Sequence, residues 1–356
     1  MPQIPQHFLD CSIYLYESKD SAEDGEHFGG SGCLVSVQSD PIYDPASFKA
    51  GRYHKIALVC PPHIYAVTNK HVIEQGYTVI RLNTVDGNID VLELEGDDWI
   101  KHPNGDDLAV APIDLPPHKH AHYAIPSVLF LRRDSVYSDI GAGDDTFMIG
   151  RFVSHAGKQR NTPSLRFGSI AMLPFEKIKL EDGYMQEAFL VETRSISGYS
   201  GSPVFVYKPA KEITYVPDPS PYIPVSGGTS REAITDLVGY PMLLGIDCGH
   251  VPSYKKVLDA GGSPLQHGLK VESNTGMATV IPAWRLAELL NTEELVMQRN
   301  QKDKEYEERQ KAEKQSSSAI FDIEKPEIFT ADTYQDALRR ASRKLSSQPE
   351  SDSDET

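Results

Sequence analysis

Long apolar runs, an excess of basic residues and clustered cysteines are all missing from this chain of 356 residues. No stretch of about eighteen uncharged apolar residues occurs, and the first twenty residues hold no basic cluster followed by an apolar run, so a cytoplasmic protein with no membrane partner is expected. The formal net charge of -16 disfavours wrapping of nucleic acid or adhesion to an anionic membrane, since both would be repelled over a Debye length. Cys11, Cys33, Cys60 and Cys248 lie far apart in strand-like runs rather than at metal-ligand spacing, and read as buried free thiols. Alternating βα patterning is absent too, which argues against an α/β architecture.

The chain has 39% hydrophobic and 9% aromatic residues, enough for one large or two medium cores. Its organising stretch is Gly198-Tyr199-Ser200-Gly201-Ser202-Pro203, which runs into the apolar Val204-Phe205-Val206. Glycines flanking a serine ahead of a buried strand describe a hydroxyl presented on a tight turn. They also leave room for a carbonyl to approach the amides of Gly198 and Ser200. A nucleophilic serine needs a base, and the base needs an orienting group. An esterase elbow would require Gly-x-Ser-x-Gly, and Ser202 stands at its last place.

Taken in order, residues 12–18, 29–37, 55–60, 64–68, 78–83 and 89–95 are rich in β-formers and predict successive strands. The fourth leads into Thr68-Asn69-Lys70-His71-Val72, where a histidine begins a short turn. Asp106-Asp107-Leu108-Ala109-Val110 then places an aspartate at the mouth of a buried strand. His118, His120 and His122 would share one face of an extended segment, but flanking prolines and a missing fourth ligand make a zinc site weak. No metal and no cofactor is expected. A second set of strands is predicted at 146–152, 164–172, 188–193, 204–207, 242–248 and 277–281, with a proline-rich insertion between Pro209 and Pro241 beside the serine turn.

From Pro282 the period changes. Trp284, Leu286, Leu289 and Leu290 recur at helical spacing and mark a helix that closes the second core. Residues 297–356 form a charged tail, expected to be mostly disordered because it cannot bury enough apolar surface to fold alone. Within it Tyr334, Leu338, Ala341 and Leu345 form a stripe that is either a partner-docking segment or a transient helix.

Together these motifs resemble the trypsin-like serine proteases, most closely the protease domain of the HtrA/Deg type. Gly30-Ser31-Gly32-Cys33-Leu34-Val35 is similar to the family's opening strand, Thr68-Asn69-Lys70-His71-Val72 to the signature around its base, and Asp107-Leu108-Ala109 to its Asp-Leu-Ala signature. Phe147 to Gly150, Leu165 to Ile170, Gly198 to Pro203, Gly245-Ile246-Asp247 and Gly276 to Pro282 look like landmarks of its second barrel. The resemblance spans roughly residues 28–291.

It implies an all-β fold of two six-stranded antiparallel β-barrels (chymotrypsin-like), the first within 1–125 and the second, with the closing helix, within 126–296. It further implies a serine endopeptidase acting on a protein or peptide substrate, with Ser200 as nucleophile, His71 as base and Asp107 as its orienting group. Asp106 is the competing orienter. Gly198 and Ser200 would supply the oxyanion hole, and Arg194, Asp247 and Gly276 would bind substrate. The alternative is an inactive pseudoprotease that binds a partner.

Two departures from the family matter. Tyr199 stands where digestive members use an aspartate to pair with a freed amino terminus, so activation by clipping is not expected. No PDZ-like domain is expected after the closing helix.

Overall fold

Strands whose two faces are both buried dominate the first three hundred residues, because period-two alternation in this chain sends apolar side chains into one core or another on either face. The computed structural model describes residues 4–43, 56–136, 138–151, 160–180, 183–193, 198–208, 240–257 and 269–323. The first set of elements comprises β1 Ser12–Tyr16, α1 Lys19–Asp24, β2 Phe28–Val37, β3 Ile42–Tyr43, β4 Ile56–Leu58, β5 His63–Thr68, α2 Lys70–Glu74, β6 Val79–Asn83, β7 Ile89–Leu92, β8 Ile100–Lys101, β9 Ala109–Ile113 and β10 Ile125–Pro126. The second comprises β11 Asp145–Arg151, β12 Pro163–Met172, β13 Lys177–Lys179, β14 Met185–Glu187, β15 Phe189–Glu192, β16 Pro203–Lys208, β17 Tyr240–Lys256, β18 Lys270–Pro282, α3 Ala283–Leu290 and α4 Glu293–Ile323.

The C-terminal strands close into a six-stranded antiparallel barrel in the order β11-β12-β15-β18-β17-β16. The N-terminal strands form an eight-stranded sheet, β7-β6-β1-β2-β5-β9-β8, with β10 added in parallel to β2. Closure of a second barrel is not seen among the described residues. The end strand β8 is only two residues long, too short to carry a closing ladder. The chain is thus mostly β, with one closed barrel and C-terminal helices.

Alternation along single strands builds three cores. In β16, Val204 and Val206 point into the barrel with Met148, Phe189, Val191, Leu244 and Val280, while Phe205 points the other way. There it stacks on Phe147 at 4.9 Å between ring centroids, in a cluster that also takes Cys33 and Val35 from β2 and Tyr65 and Val67 from β5. That cluster joins sheet to barrel. The opposite faces of β2 and β5 supply Leu34 and Ala66 to a third core with Ile13, Leu15 and Ile80. Cys11, Cys33 and Cys60 are buried free thiols and Cys248 is half-buried.

Residues up to Arg299 form one unit and those from Asn300 a second. Helix α3 buries Trp284, Leu286, Leu289 and Leu290, as the helical spacing predicts. The tail departs from its reading, for α4 continues as helix through Ile323 across residues expected to be disordered. High polarity prevents a core but not a helix. Lys, Glu, Gln and Arg are good helix formers, and spacings such as Lys311 on Glu307 and Gln301 on Glu305 add support along the surface. The stripe from Tyr334 to Leu345 lies outside the described residues, as do 209–239 of the insertion. Among the described residues no helix is long and apolar enough to cross a membrane.

Candidate active site

His71 stands in the first turn of α2, directly after β5. Asn69 precedes the helix with extended backbone but caps nothing. Its amide is engaged elsewhere, donating from Nδ2 to the Asp107 carbonyl at 2.8 Å. The helix therefore begins with unpaired N–H groups. One of them, His71 N–H, donates to Asp107 Oδ1 at 2.9 Å, while the ring Nδ1 meets Oδ2 at 2.6 Å. A carboxylate at the start of a helix is favourable in its own right. Here the same group sets the ring's position and its tautomer. With Nδ1–H directed at Asp107, Nε2 keeps a lone pair free to take a proton. Asp107 is itself held, its N–H donating to Oε1 of the wholly buried Gln186 at 3.2 Å.

Asp106, the competing orienter, faces elsewhere. Its Oδ2 accepts from Arg285 Nε on α3, its Oδ1 accepts from the Tyr184 hydroxyl at 2.9 Å, and His102 Nε2 lies 3.9 Å away. Burial pulls the Asp106 carboxyl upward, but the Arg285 and Tyr184 hydrogen bonds outweigh it and leave its pKa below the usual carboxylate value. Burial likewise holds the His102 imidazole below its usual value, against the attraction of Asp106. The geometry thus separates adjacent aspartates, one on His71 and one in a buried cluster with the closing helix.

The serine turn packs against the strand that delivers His71. A methyl built on Gly30 would lie 2.9 Å from Val72 of α2 and 3.3 Å from the Ser200 carbonyl oxygen. Over Gly201 the approach is closer still. A Cβ there would stand 2.0 Å from the Ser31 carbonyl oxygen and 2.5 Å from Thr68 Oγ1, and φ is +88°, so only glycine fits.

Successive peptide planes of the turn are tied down. The Gly198 carbonyl accepts from the Ser31 hydroxyl at 2.9 Å. The Tyr199 carbonyl accepts from Ser202 N–H at 2.8 Å. The Ser200 carbonyl accepts from Ser31 N–H at 2.9 Å, and at the far end of that plane Gly201 N–H donates to the Asp247 carbonyl at 2.8 Å. Because C=O and N–H point opposite ways across a trans peptide, holding the Tyr199 carbonyl toward Ser202 aims the Ser200 N–H away from it.

Tyr199, expected not to act as an activation partner, is wholly buried in the barrel core. Its hydroxyl lies 3.0 Å from Ser164 Oγ and the Arg166 guanidinium sits 4.5 Å above its ring. Among the described residues the Ser200 hydroxyl has no hydrogen-bond partner.

The remaining expected positions fall in different places. Asp247 is fully buried and brackets the turn through its backbone, its N–H donating to the Ser202 carbonyl at 2.9 Å. Gly276 lines a pocket of about 430 Å³ with Arg166, Phe167, Glu192 and Thr193. Arg194 lies outside the described residues. His120 meets Asp90 Oδ2 at 2.8 Å, and the described residues hold no group of three or more metal-ligating side chains. Two contributors went unseen in the sequence reading. Ser31 sat inside a motif read only as a strand, with its flanking glycines the available signal, and Gln186 carried no signal.

No family model matches the chain, and no curated protein matches it. Among solved structures it is similar to the apo MamO protease domain from Magnetospirillum magneticum, at 12% identity over 81% of this chain and 99% of that one, with a TM-score of 0.43. It is also similar to Deg5, at 18% identity over 56% and 75% with a TM-score of 0.32, and to the HtrA-type protease AlgW with decapeptide, at 14% over 79% and 63% with a TM-score of 0.36.

Proposed function

We propose that the chain is a serine endopeptidase of the trypsin-like, HtrA/Deg type that cleaves a protein or peptide substrate in the cytoplasm. The observation that carries this reading is the double contact of Asp107 with His71, at 2.9 and 2.6 Å, on a helix packed beside the Ser200 turn. That arrangement suits a general base and little else, because it leaves Nε2 as the ring's only free acceptor.

In the first half-reaction Ser200 Oγ bonds to the scissile carbonyl carbon while its proton passes to His71 Nε2. The C–O double bond opens to an oxyanion received by the N–H groups of Gly198 and Ser200. The oxyanion then collapses, the C–N bond breaks, and the leaving amine takes the proton from His71. An acyl ester on Ser200 remains. Water, losing its proton to the same nitrogen, releases the acid and restores the serine. Asp107 stays ionised and stabilises the imidazolium. Each oxyanion donor is worth about 2.7–4 kcal/mol in sites of this kind. Arg194, Asp247 and Gly276 are proposed to shape substrate binding.

One observation favours a second reading, a pseudoprotease that binds a partner, because the Ser200 hydroxyl has no hydrogen-bond partner among the described residues. Hydrogen bonds of this kind are often long without substrate and tighten on binding. Labelling with a fluorophosphonate probe separates the two. Native protein labelled and Ser200→Ala unlabelled supports the peptidase, whereas no labelling of either supports the binder. Digestion of a proteome-derived peptide library then defines the cleavage preference.

A further inference from the structure

The hydroxyl of Ser31 has no part in the chemistry outlined above, yet it is the one side chain seen to reach a main-chain carbonyl of the serine turn. Ser31 is wholly buried in β2, 167 residues from Gly198 in sequence. Its Oγ donates to the Gly198 carbonyl at 2.9 Å and accepts the Arg151 N–H at 3.4 Å, while its own N–H donates to the Ser200 carbonyl at 2.9 Å and its carbonyl accepts from Thr68 Oγ1 at 2.8 Å. The Arg151 donor occupies one lone pair and leaves the hydroxyl proton for Gly198. Every polar atom of the residue is thus committed.

We infer that Ser31 is a positioning residue for the oxyanion-binding turn, its hydroxyl fixing the Gly198–Tyr199 peptide plane so that the amides of Gly198 and Ser200 converge on one point. The inference rests on the endopeptidase reading. Gly198 has φ of +92° and no side chain, so its own covalent structure offers little resistance to rotation of that plane. The two neighbouring planes are held by backbone hydrogen bonds that do not involve the Ser31 hydroxyl. Removing the hydroxyl therefore frees one plane of the turn. Donors aimed at developing charge act in the transition state more than in substrate binding, so a loosened plane lowers kcat and leaves KM nearly unchanged. Ser31 touches neither His71 nor Asp107 in any recorded bond, so the pH profile keeps its midpoint.

The test uses the full chain with a peptide that the wild type cleaves. Ser31→Ala is expected to lower kcat and the fluorophosphonate labelling rate together by about tenfold or more, with KM within about twofold and the pH midpoint unmoved. Should Ser31→Ala lose its native circular dichroism, Ser31→Cys, which keeps the volume with a weaker donor, is read by the same criteria. The inference is overturned by kcat and labelling within twofold of wild type, or by KM rising in step with the fall in kcat. A wild type that takes no probe and cleaves nothing removes the endopeptidase reading and this inference together. A labelled wild type with an equally reactive Ser31→Ala removes the inference alone.

Discussion

Asp107 grips His71 at two points, taking the backbone N–H on Oδ1 and the ring on Oδ2. Replacing it by Asn keeps an oxygen for the backbone but offers the ring an amide donor, which reverses the tautomer. Asp107→Asn is expected to fold and to lose about four orders of magnitude in kcat, the loss seen when an orienting aspartate is changed this way. Steady-state kinetics beside far-ultraviolet circular dichroism checks it, and a loss below tenfold would deny His71 its role as base.

Gly201 leaves no space for a side chain, since its built Cβ meets the Ser31 carbonyl oxygen at 2.0 Å. Gly201→Ala adds this clash to a left-handed backbone and is expected to cost about 2–4 kcal/mol. Urea unfolding measures it. A change within half a kcal/mol would mean that the turn does not pack on β2 as described.

The Asp106–Arg285 pair joins the loop before β9 to the closing helix, with Asp106 almost wholly buried. Arg285→Ala strands that carboxylate and is expected to cost about 3–5 kcal/mol, whereas Asp106→Asn, still able to accept from Tyr184, costs less. Denaturant midpoints should rank wild type above Asp106→Asn and Asp106→Asn above Arg285→Ala. The reverse order counts against a buried ion pair.

The same cluster sets a pH dependence. His102 is held below its usual pKa, so the unfolded chain takes up a proton near pH 6.5 while the folded chain resists, and stability falls as pH drops below about 6.5. Asp106, depressed in the fold, contributes stability that is present above about pH 3.9 and is lost as pH falls through its folded value. His102→Gln should flatten the upper step and leave the lower one. Thermal midpoints between pH 4 and 8 read it, and an unchanged slope below 6.5 would clear His102 of the effect.

Arg299 moves the boundary of the tail. Its guanidinium donates to the Leu290 carbonyl at 2.7 Å and to the Tyr65 hydroxyl at 3.1 Å. A chain ending at Arg299 is expected to keep the wild-type melting temperature and labelling rate, whereas one ending at Val296 melts several degrees lower. Equal melting of the two would make the Arg299 contacts idle.

The strands were legible because alternation is local. Residues 146–152 and 164–172 sit within a residue or so of β11 and β12. Thr68-Asn69-Lys70-His71 reads as a strand end turning into a helix, and that is where it lies. Less legible were the partners. Neighbouring aspartates have the same chemistry, so only Arg285, 179 residues from Asp106, and His71, 36 from Asp107, tell them apart. The tail misled because composition measures the capacity to bury surface, whereas α4 draws on backbone propensity.

By itself, then, the sequence determined where strands and turns begin, which faces are apolar, and that a histidine, an aspartate and a glycine-flanked serine stand at element ends, since each follows from residues within a few positions of one another. Only the tertiary structure decided that Asp107 and not Asp106 meets the imidazole, that Ser31 ties down the turn, and that one barrel closes while the other strands spread as a sheet. Those outcomes depend on hydrogen bonds between segments far apart along the chain, whose geometry exists only once the cores have packed.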